Sequence, residues 1–268
     1  MTAPIQEQEK SVQTRTMTDI LCYLTKPAQQ HYIQQLFADT PTIQYQLTTQ
    51  LPDQGFYLTI DNQLLQLCLG GSPLTLSMDC LSLAIQQRIS GSTKKLDLIK
   101  AVTGRSRSPL TILDMTAGLG LDTLTMASQG HQVTAIEKNP YVFMLLKQRL
   151  LRAKDIGLGN VINNITLMFG DANKIAIPKS VFDVIYLDPM FPVRQKTAKT
   201  KKHMQLLKML VPYNPAIDSL LLEYARSLNS KKIIVKRHRL GQYLANQKPT
   251  SQIIGKSSRF DIYVNATS

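Results

Sequence analysis

The chain has 268 residues, 43% of them hydrophobic, which is enough for a sizeable core and excludes wholesale disorder. No run of eighteen apolar residues occurs and the polar stretch from Met1 to Lys10 has no apolar signal core, so neither a transmembrane helix nor secretion is expected. The net charge of +13 is uneven: residues 1–90 hold four basic and seven acidic side chains, residues 91–268 twenty-seven and eleven, so the C-terminal part suits a polyanionic partner.

Along the chain, residues 1–17 are polar, lack an apolar period and read as a loose tail. Pro27 followed by Ile33, Leu36 and Phe37 predicts a short helix. Residues 44–49, 56–61 and 63–69 predict strands, the last two joined by a turn at Asp61-Asn62, which together make a small antiparallel unit. Residues 80–89 and 95–103 predict helices, and Gly104-Arg-Ser-Arg-Ser-Pro109 a linker. The expected division is therefore a small N-terminal α/β unit with a polar tail over 1–104 and a second domain over 105–268.

After Pro109 apolar strand-like runs (111–115, 132–137, 165–169, 182–187, 232–236) alternate with helical periods (122–129, 140–154, 203–210, 217–228). That alternation predicts a doubly wound, mostly parallel sheet. A last run, 259–264, alternates apolar and polar residues and predicts an antiparallel edge strand. Cys22, Cys68 and Cys80 form no close-spaced pair, and the four histidines show no ligand spacing, so neither a metal site nor a disulfide framework is expected, and a reducing cytosol fits.

Three motifs carry chemistry. The first is Asp114-Met-Thr-Ala-Gly118-Leu-Gly120, which follows a strand and opens a helix. Gly118 and Gly120 let the backbone approach a ligand, and the helix start offers free amides. Thr123 stands where a dinucleotide fingerprint has its third glycine, which disfavours a nicotinamide or flavin. Asp114, closing the strand, suits a ligand with a cationic amino-acid end, such as S-adenosylmethionine. Glu137, seventeen positions after Gly120, ends the next strand and can accept both hydroxyls of a ribose. Asp171 ends the third and can accept from an adenine amino group.

The second motif, Asp188-Pro189-Met190-Phe191-Pro192, ends the fourth strand. It resembles the Asp/Asn-Pro-Pro-aromatic signature of enzymes that methylate exocyclic amines. Such an amine is a poor nucleophile because its lone pair is delocalised into the ring. A carboxylate at 188 and a fixed carbonyl at Pro189 can both accept its N–H bonds, and the ring at 191 can stack on the base, worth about 1–3 kcal/mol. The third motif follows at once: Arg194, Lys196, Lys199, Lys201 and Lys202 with no acid among them, which reads as a phosphate-binding loop. The strand ending in Lys236 and Arg237 brings positive charge toward the same edge. On the residues alone the readings are a methyltransferase acting on a nucleic-acid amine (guanine, adenine or cytosine), an RNA-binding protein that retains a cofactor fold, and a nucleotide-dependent oxidoreductase.

With these segments and Lys201-Lys-His-Met204, Ile234-Val-Lys-Arg237 and Arg259-Phe-Asp-Ile-Tyr263, the chain resembles the bacterial small-subunit ribosomal RNA methyltransferase J family over residues 111–264. The resemblance implies a Rossmann-like class I S-adenosylmethionine-dependent methyltransferase with a seven-stranded sheet. It implies methylation of the 2-amino group of a guanosine in small-subunit ribosomal RNA, free or in the 30S subunit; no metal is needed, since a sulfonium is already an activated leaving group, and no membrane is expected. Carried over by position, it makes Leu121, Asp122, Glu137, Lys138, Asp171, Ala172 and Asp188 the cofactor residues. Two departures stand out: Leu121 replaces an arginine usual in the family, and the basic stretch before the linker is diluted to Ile85-Gln-Gln-Arg-Ile-Ser-Gly-Ser-Thr-Lys94.

Overall fold

The computed structural model describes residues 19–78, 89, 96–179, 181–190 and 202–264. The polar tail, nearly all of the helix expected over 80–89 and the basic segment 191–201 lie outside these residues.

The N-terminal unit is a five-stranded sheet of order β2-β1-β3-β4-β5, built from β1 (Asp19–Tyr23), β2 (Gln44–Thr48), β3 (Phe56–Asp61), β4 (Leu64–Leu69) and β5 (Thr75–Ser77). It is mixed, not antiparallel as expected. β1 runs parallel to both β2 and β3, because helix α1 (Ala28–Phe37) forms a crossover between β1 and β2. β1 escaped the sequence reading because only Ile20 and Cys22 of its five residues are fully buried, a signal too short to stand out after a polar tail. The β3–β4 hairpin has a two-residue loop, Asn62 and Gln63, both at positive φ (46° and 64°), as the twist of a tight hairpin demands.

The larger sheet has the order β11-β12-β10-β9-β6-β7-β8. Its strands are β6 (Thr111–Asp114), β7 (Gln132–Glu137), β8 (Ile165–Phe169), β9 (Val184–Leu187), β10 (Lys232–His238), β11 (Ser251–Ile254) and β12 (Ser258–Val264). β6 to β10 are parallel, and β12 runs antiparallel to β10 over seven paired residues. β12 is not the edge strand expected from its alternation, since β11 pairs along its outer side. The helices are α2 (Asp97–Thr103), α3 (Leu121–Ala127), α4 (Pro140–Ala153), a single turn α5 (Gly159–Ile162), α6 (Lys202–Leu210) and α7 (Pro215–Ser227). α2 and α3 cover one face of the sheet, and α7 covers the other, over Leu113, Ile185, Leu187, Ile233 and Val235.

α4 joins the two sheets. Its start is set locally: Asn139 Oδ1 accepts from Val142 N at 3.2 Å, and Pro140 occupies the first turn, where its missing N–H costs nothing. Ten of its fourteen residues are buried, among them Gln148 and Arg149, which marks a helix packed on two sides. Phe143, Met144 and Leu145 pack with the N-terminal sheet, while Leu146 and Leu150 pack with Leu124 and Ala135 of the larger one. Gln148 adds polar specificity: its Oε1 accepts from Leu65 N at 2.8 Å, and its Nε2 donates to Gln63 O at 3.1 Å. Among the described residues no helix is long and apolar enough to cross a membrane.

Candidate active site

The chain order reverses between β6 and β9. β7 and β8 lie to one side of that pair and β10 to the other, and such a switch point leaves a crevice beyond the C-terminal strand ends. A cavity of about 370 Å³ lies there. Its walls come from the β6–α3 loop, the ends of β7, β8 and β9, and the α6–α7 region.

The β6–α3 loop is held from two directions. Ala117 N donates to Ile136 O at 3.0 Å, and Gly118 N donates to Glu137 Oε2 at 2.8 Å. The other Glu137 oxygen accepts from Asn139 N at 2.7 Å, so one carboxylate fixes both the glycine loop and the entry to α4. Gly120 has φ +72°, which disfavours any side chain, and a Cβ there would meet Leu146 Cδ1 at 2.3 Å and force it to shift. Burial raises the Glu137 pKa against the lowering effect of its two amide donors.

The floor is a cluster of acids around one ammonium. Asp114 Oδ1 accepts from Thr116 N at 3.1 Å and its Oδ2 from Thr123 Oγ1 at 2.6 Å. Burial pushes Asp114 up to about 7, with Asp122 and Asp188 adding like charge. Asp122 Oδ2 accepts from Tyr186 Oη and from Lys236 Nζ, both at 2.6 Å. Lys236 Nζ also donates to Asp188 Oδ2 at 2.8 Å, and Asp188 N donates to Thr116 Oγ1 at 2.6 Å. The Asp188 pKa is raised by burial and Asp122 and held back by Lys236. The Tyr186 phenol is pushed well above its ordinary value by burial and the same acids.

The structure gathers most of the expected site residues on one cavity. Asp114, Gly118, Gly120, Leu121, Asp122, Glu137, Lys138, Asp171, Ala172, Asp188 and Pro189 all line it. Asp171 Oδ1 also accepts from Asn173 N at 3.1 Å. Phe191, Arg194, Lys196, Lys199 and Lys201 lie outside the described residues, as does the side chain of Lys202. Two residues expected to meet phosphate stand elsewhere. Lys236 faces inward as the counter-ion of the acids, and Arg237 is buried on the opposite face, its Nε donating to Gln242 O at 2.9 Å. Strand parity could have placed Lys236: β10 pairs Ile234 with Tyr186 and Val235 with Leu187, so the next residue stands level with Asp188. Sequence reasoning also missed Thr116 and Tyr186, and the wall supplied by Met204, Leu207 and Tyr213.

The donor set fits S-adenosylmethionine. Two aspartates share Lys236, and Asp114, Glu137 and Asp171 line the same cavity with Lys138 as its other cation among the described residues, so the cavity favours a ligand of net positive charge, and this cofactor carries a sulfonium and an ammonium against one carboxylate. Acids close β6 and β7 and follow β8, and apolar walls supply room for a nucleoside.

Comparison with known proteins agrees. Residues 42–265 match the family model described as "Putative SAM-dependent methyltransferase". The ribosomal RNA small subunit methyltransferase J of Francisella tularensis subsp. novicida is 42% identical over 214 residues, covering 78% of this chain and 88% of that protein. Its counterpart in Francisella philomiragia subsp. philomiragia is 43% identical over 210 residues, covering 77% and 87%. The crystal structure of a SAM-dependent methyltransferase from Neisseria gonorrhoeae is similar with a TM-score of 0.71 and 31% identity, over 94% of this chain and 97% of that one. A chain with this cavity, this fold and these relatives belongs to the S-adenosylmethionine-dependent methyltransferases, in the ribosomal RNA small subunit methyltransferase J family.

Proposed function

We propose that the protein transfers a methyl group from S-adenosylmethionine to the 2-amino group of a guanosine in small-subunit ribosomal RNA, in the cytoplasm. The observation that carries this reading is the position of Asp188, a half-buried carboxylate at the cavity floor with Pro189 and Met190 beside it on the wall. The relatives named for small-subunit ribosomal RNA support the substrate class.

The bound cofactor supplies a methyl group already activated on a sulfonium. The protein's task is to hold the amine in line with it, and positioning of this kind accounts for much of the rate of a two-reactant step. Asp188 and the Pro189 carbonyl accept the amine N–H bonds. The amine gains positive charge as the new bond forms, so a carboxylate at 188 interacts more strongly with the transition state than with bound substrate. Phe191 follows in the chain as the stacking partner for the extruded base. Arg194, Lys196, Lys199, Lys201 and Lys202 hold the RNA backbone from the segment between β9 and α6.

The decisive experiment maps methylated nucleosides by mass spectrometry in small-subunit RNA from cells lacking and regaining this protein. The expected result is a 2-methylguanosine that disappears and returns. Loss of a methylated adenine or cytosine instead would overturn the base assignment, and no change at any nucleoside would overturn the substrate.

A further inference from the structure

Lys236 is the one basic side chain placed between the acids of the cavity floor in the described structure. Its Nζ lies 2.6 Å from Asp122 Oδ2 and 2.8 Å from Asp188 Oδ2, and it reaches them from the strand next to β9, level with Asp188. We propose that Lys236 is a positioning residue that keeps Asp188 ionised and oriented for the substrate amine. The inference rests on the role given to Asp188 above.

The argument is electrostatic and geometric. Asp122 and Asp188 each hydrogen-bond to the same nitrogen, so without its charge a buried and a half-buried carboxylate would face each other, with Asp114 adding to the repulsion. Such a pair sheds part of its charge by taking up a proton. The proton goes to Asp188. Asp122 keeps the Tyr186 hydroxyl as a donor at 2.6 Å, and a hydrogen bond to a carboxylate favours its charged form. Arg237 also lowers the Asp188 pKa, but it stands on the other face of β10 and makes its own bond to Gln242 O. A protonated Asp188 has one oxygen committed as a donor. It accepts the amine hydrogen more weakly than a carboxylate does and cannot balance the charge that develops on the nitrogen.

Two readouts test this with K236M, K236R and the wild type. The first is carbon-13 NMR titration of the aspartate carboxyls in cofactor-free protein, with the Asp188 signal assigned from D188N. In K236M the Asp188 titration should move up by about one unit or more, the usual size of losing an adjacent opposite charge, and K236R should return it most of the way. The second is the pH dependence of single-turnover methyl transfer. The acid limb should move up in K236M together with the NMR titration, and the rate should recover as the pH is raised. If K236M does not fold, K236Q makes the same comparison, because it keeps a donor without the charge. An Asp188 titration identical in wild type and K236M, with a rate loss uniform across pH, would mean that Lys236 only fills space and would overturn the proposal. If the wild type transfers no methyl group to RNA, the proposed function falls, while the NMR titration still decides the role of Lys236.

Discussion

Thr123 Oγ1 donates to Asp114 Oδ2 at 2.6 Å, with both side chains buried beneath the first turn of α3. A dinucleotide-binding loop would place glycine at 123. Here a hydroxyl occupies the position and fixes the rotamer of the acid that ends β6. The same aspartate accepts from Thr116 N, so both its oxygens are oriented before any ligand arrives.

Asp114 makes cofactor binding depend on pH. Burial lifts its pKa to about 7, so the folded chain retains a proton that the unfolded chain releases in the ordinary carboxylate range. The stability this group contributes is therefore greatest at low pH, declines as pH rises toward about 7, and is level above that. A cationic ligand favours the ionised acid, so affinity for S-adenosylmethionine should rise through the same window and then flatten. Calorimetry from about pH 6 to about pH 8 measures it, and proton release to the buffer should accompany binding at the lower end. Asp114→Asn should abolish the slope; a slope unchanged in that variant would assign the effect to another group.

Gly120→Ala should destabilise the protein and weaken cofactor binding together. The new Cβ would meet Leu146 Cδ1 at 2.3 Å in a packed core, and φ +72° disfavours any side chain. Overpacking of this kind costs about 1–3 kcal/mol, and the left-handed backbone adds about 1–2 kcal/mol. Thermal unfolding with and without cofactor separates the two effects. A variant as stable as the wild type would show that α4 yields easily at Leu146.

Asp188→Ala should lose at least about 100-fold in single-turnover methyl transfer, the usual cost of one preorganised electrostatic group. RNA affinity should stay close to that of the wild type. Near-normal turnover would reduce Asp188-Pro189 to a turn at the end of β9.

Replacing Lys196, Lys201 and Lys202 together by alanine should leave S-adenosylmethionine affinity intact and lower RNA affinity. The slope of log affinity against log salt should shrink by about 0.7–0.9 for each phosphate that the variant no longer neutralises. Filter binding across a salt series measures this, and an unchanged slope would remove these lysines from the RNA interface.

How much of this was legible in the sequence differs from residue to residue. The strands over 132–137 and 165–169 were readable to the residue, because each is a short apolar run with a plain boundary. The glycine loop, Glu137, Asp171 and Asp188 were readable as residues that share one crevice for a related reason. Each sits at or just past a strand end, and in a parallel sheet the strand ends converge on one edge whatever the loops between them do. The start of α4 at Asn139-Pro140 was equally local.

Other features depended on partners far apart in the chain. β1 is parallel because α1 carries the chain across the sheet, and β12 is internal because β11 pairs beyond it; neither choice is written into the five or seven residues of the strand itself. α4 is apolar on both sides because two sheets meet on it. Lys236 looked like one more cation in a basic stretch. Its register against β9 turns it inward onto Asp122 and Asp188, while its neighbour Arg237 turns to the opposite face. Local composition determined which residues could do the chemistry here. Strand pairing decided which of them meet, because a side chain's face depends on a register that only the assembled sheet defines.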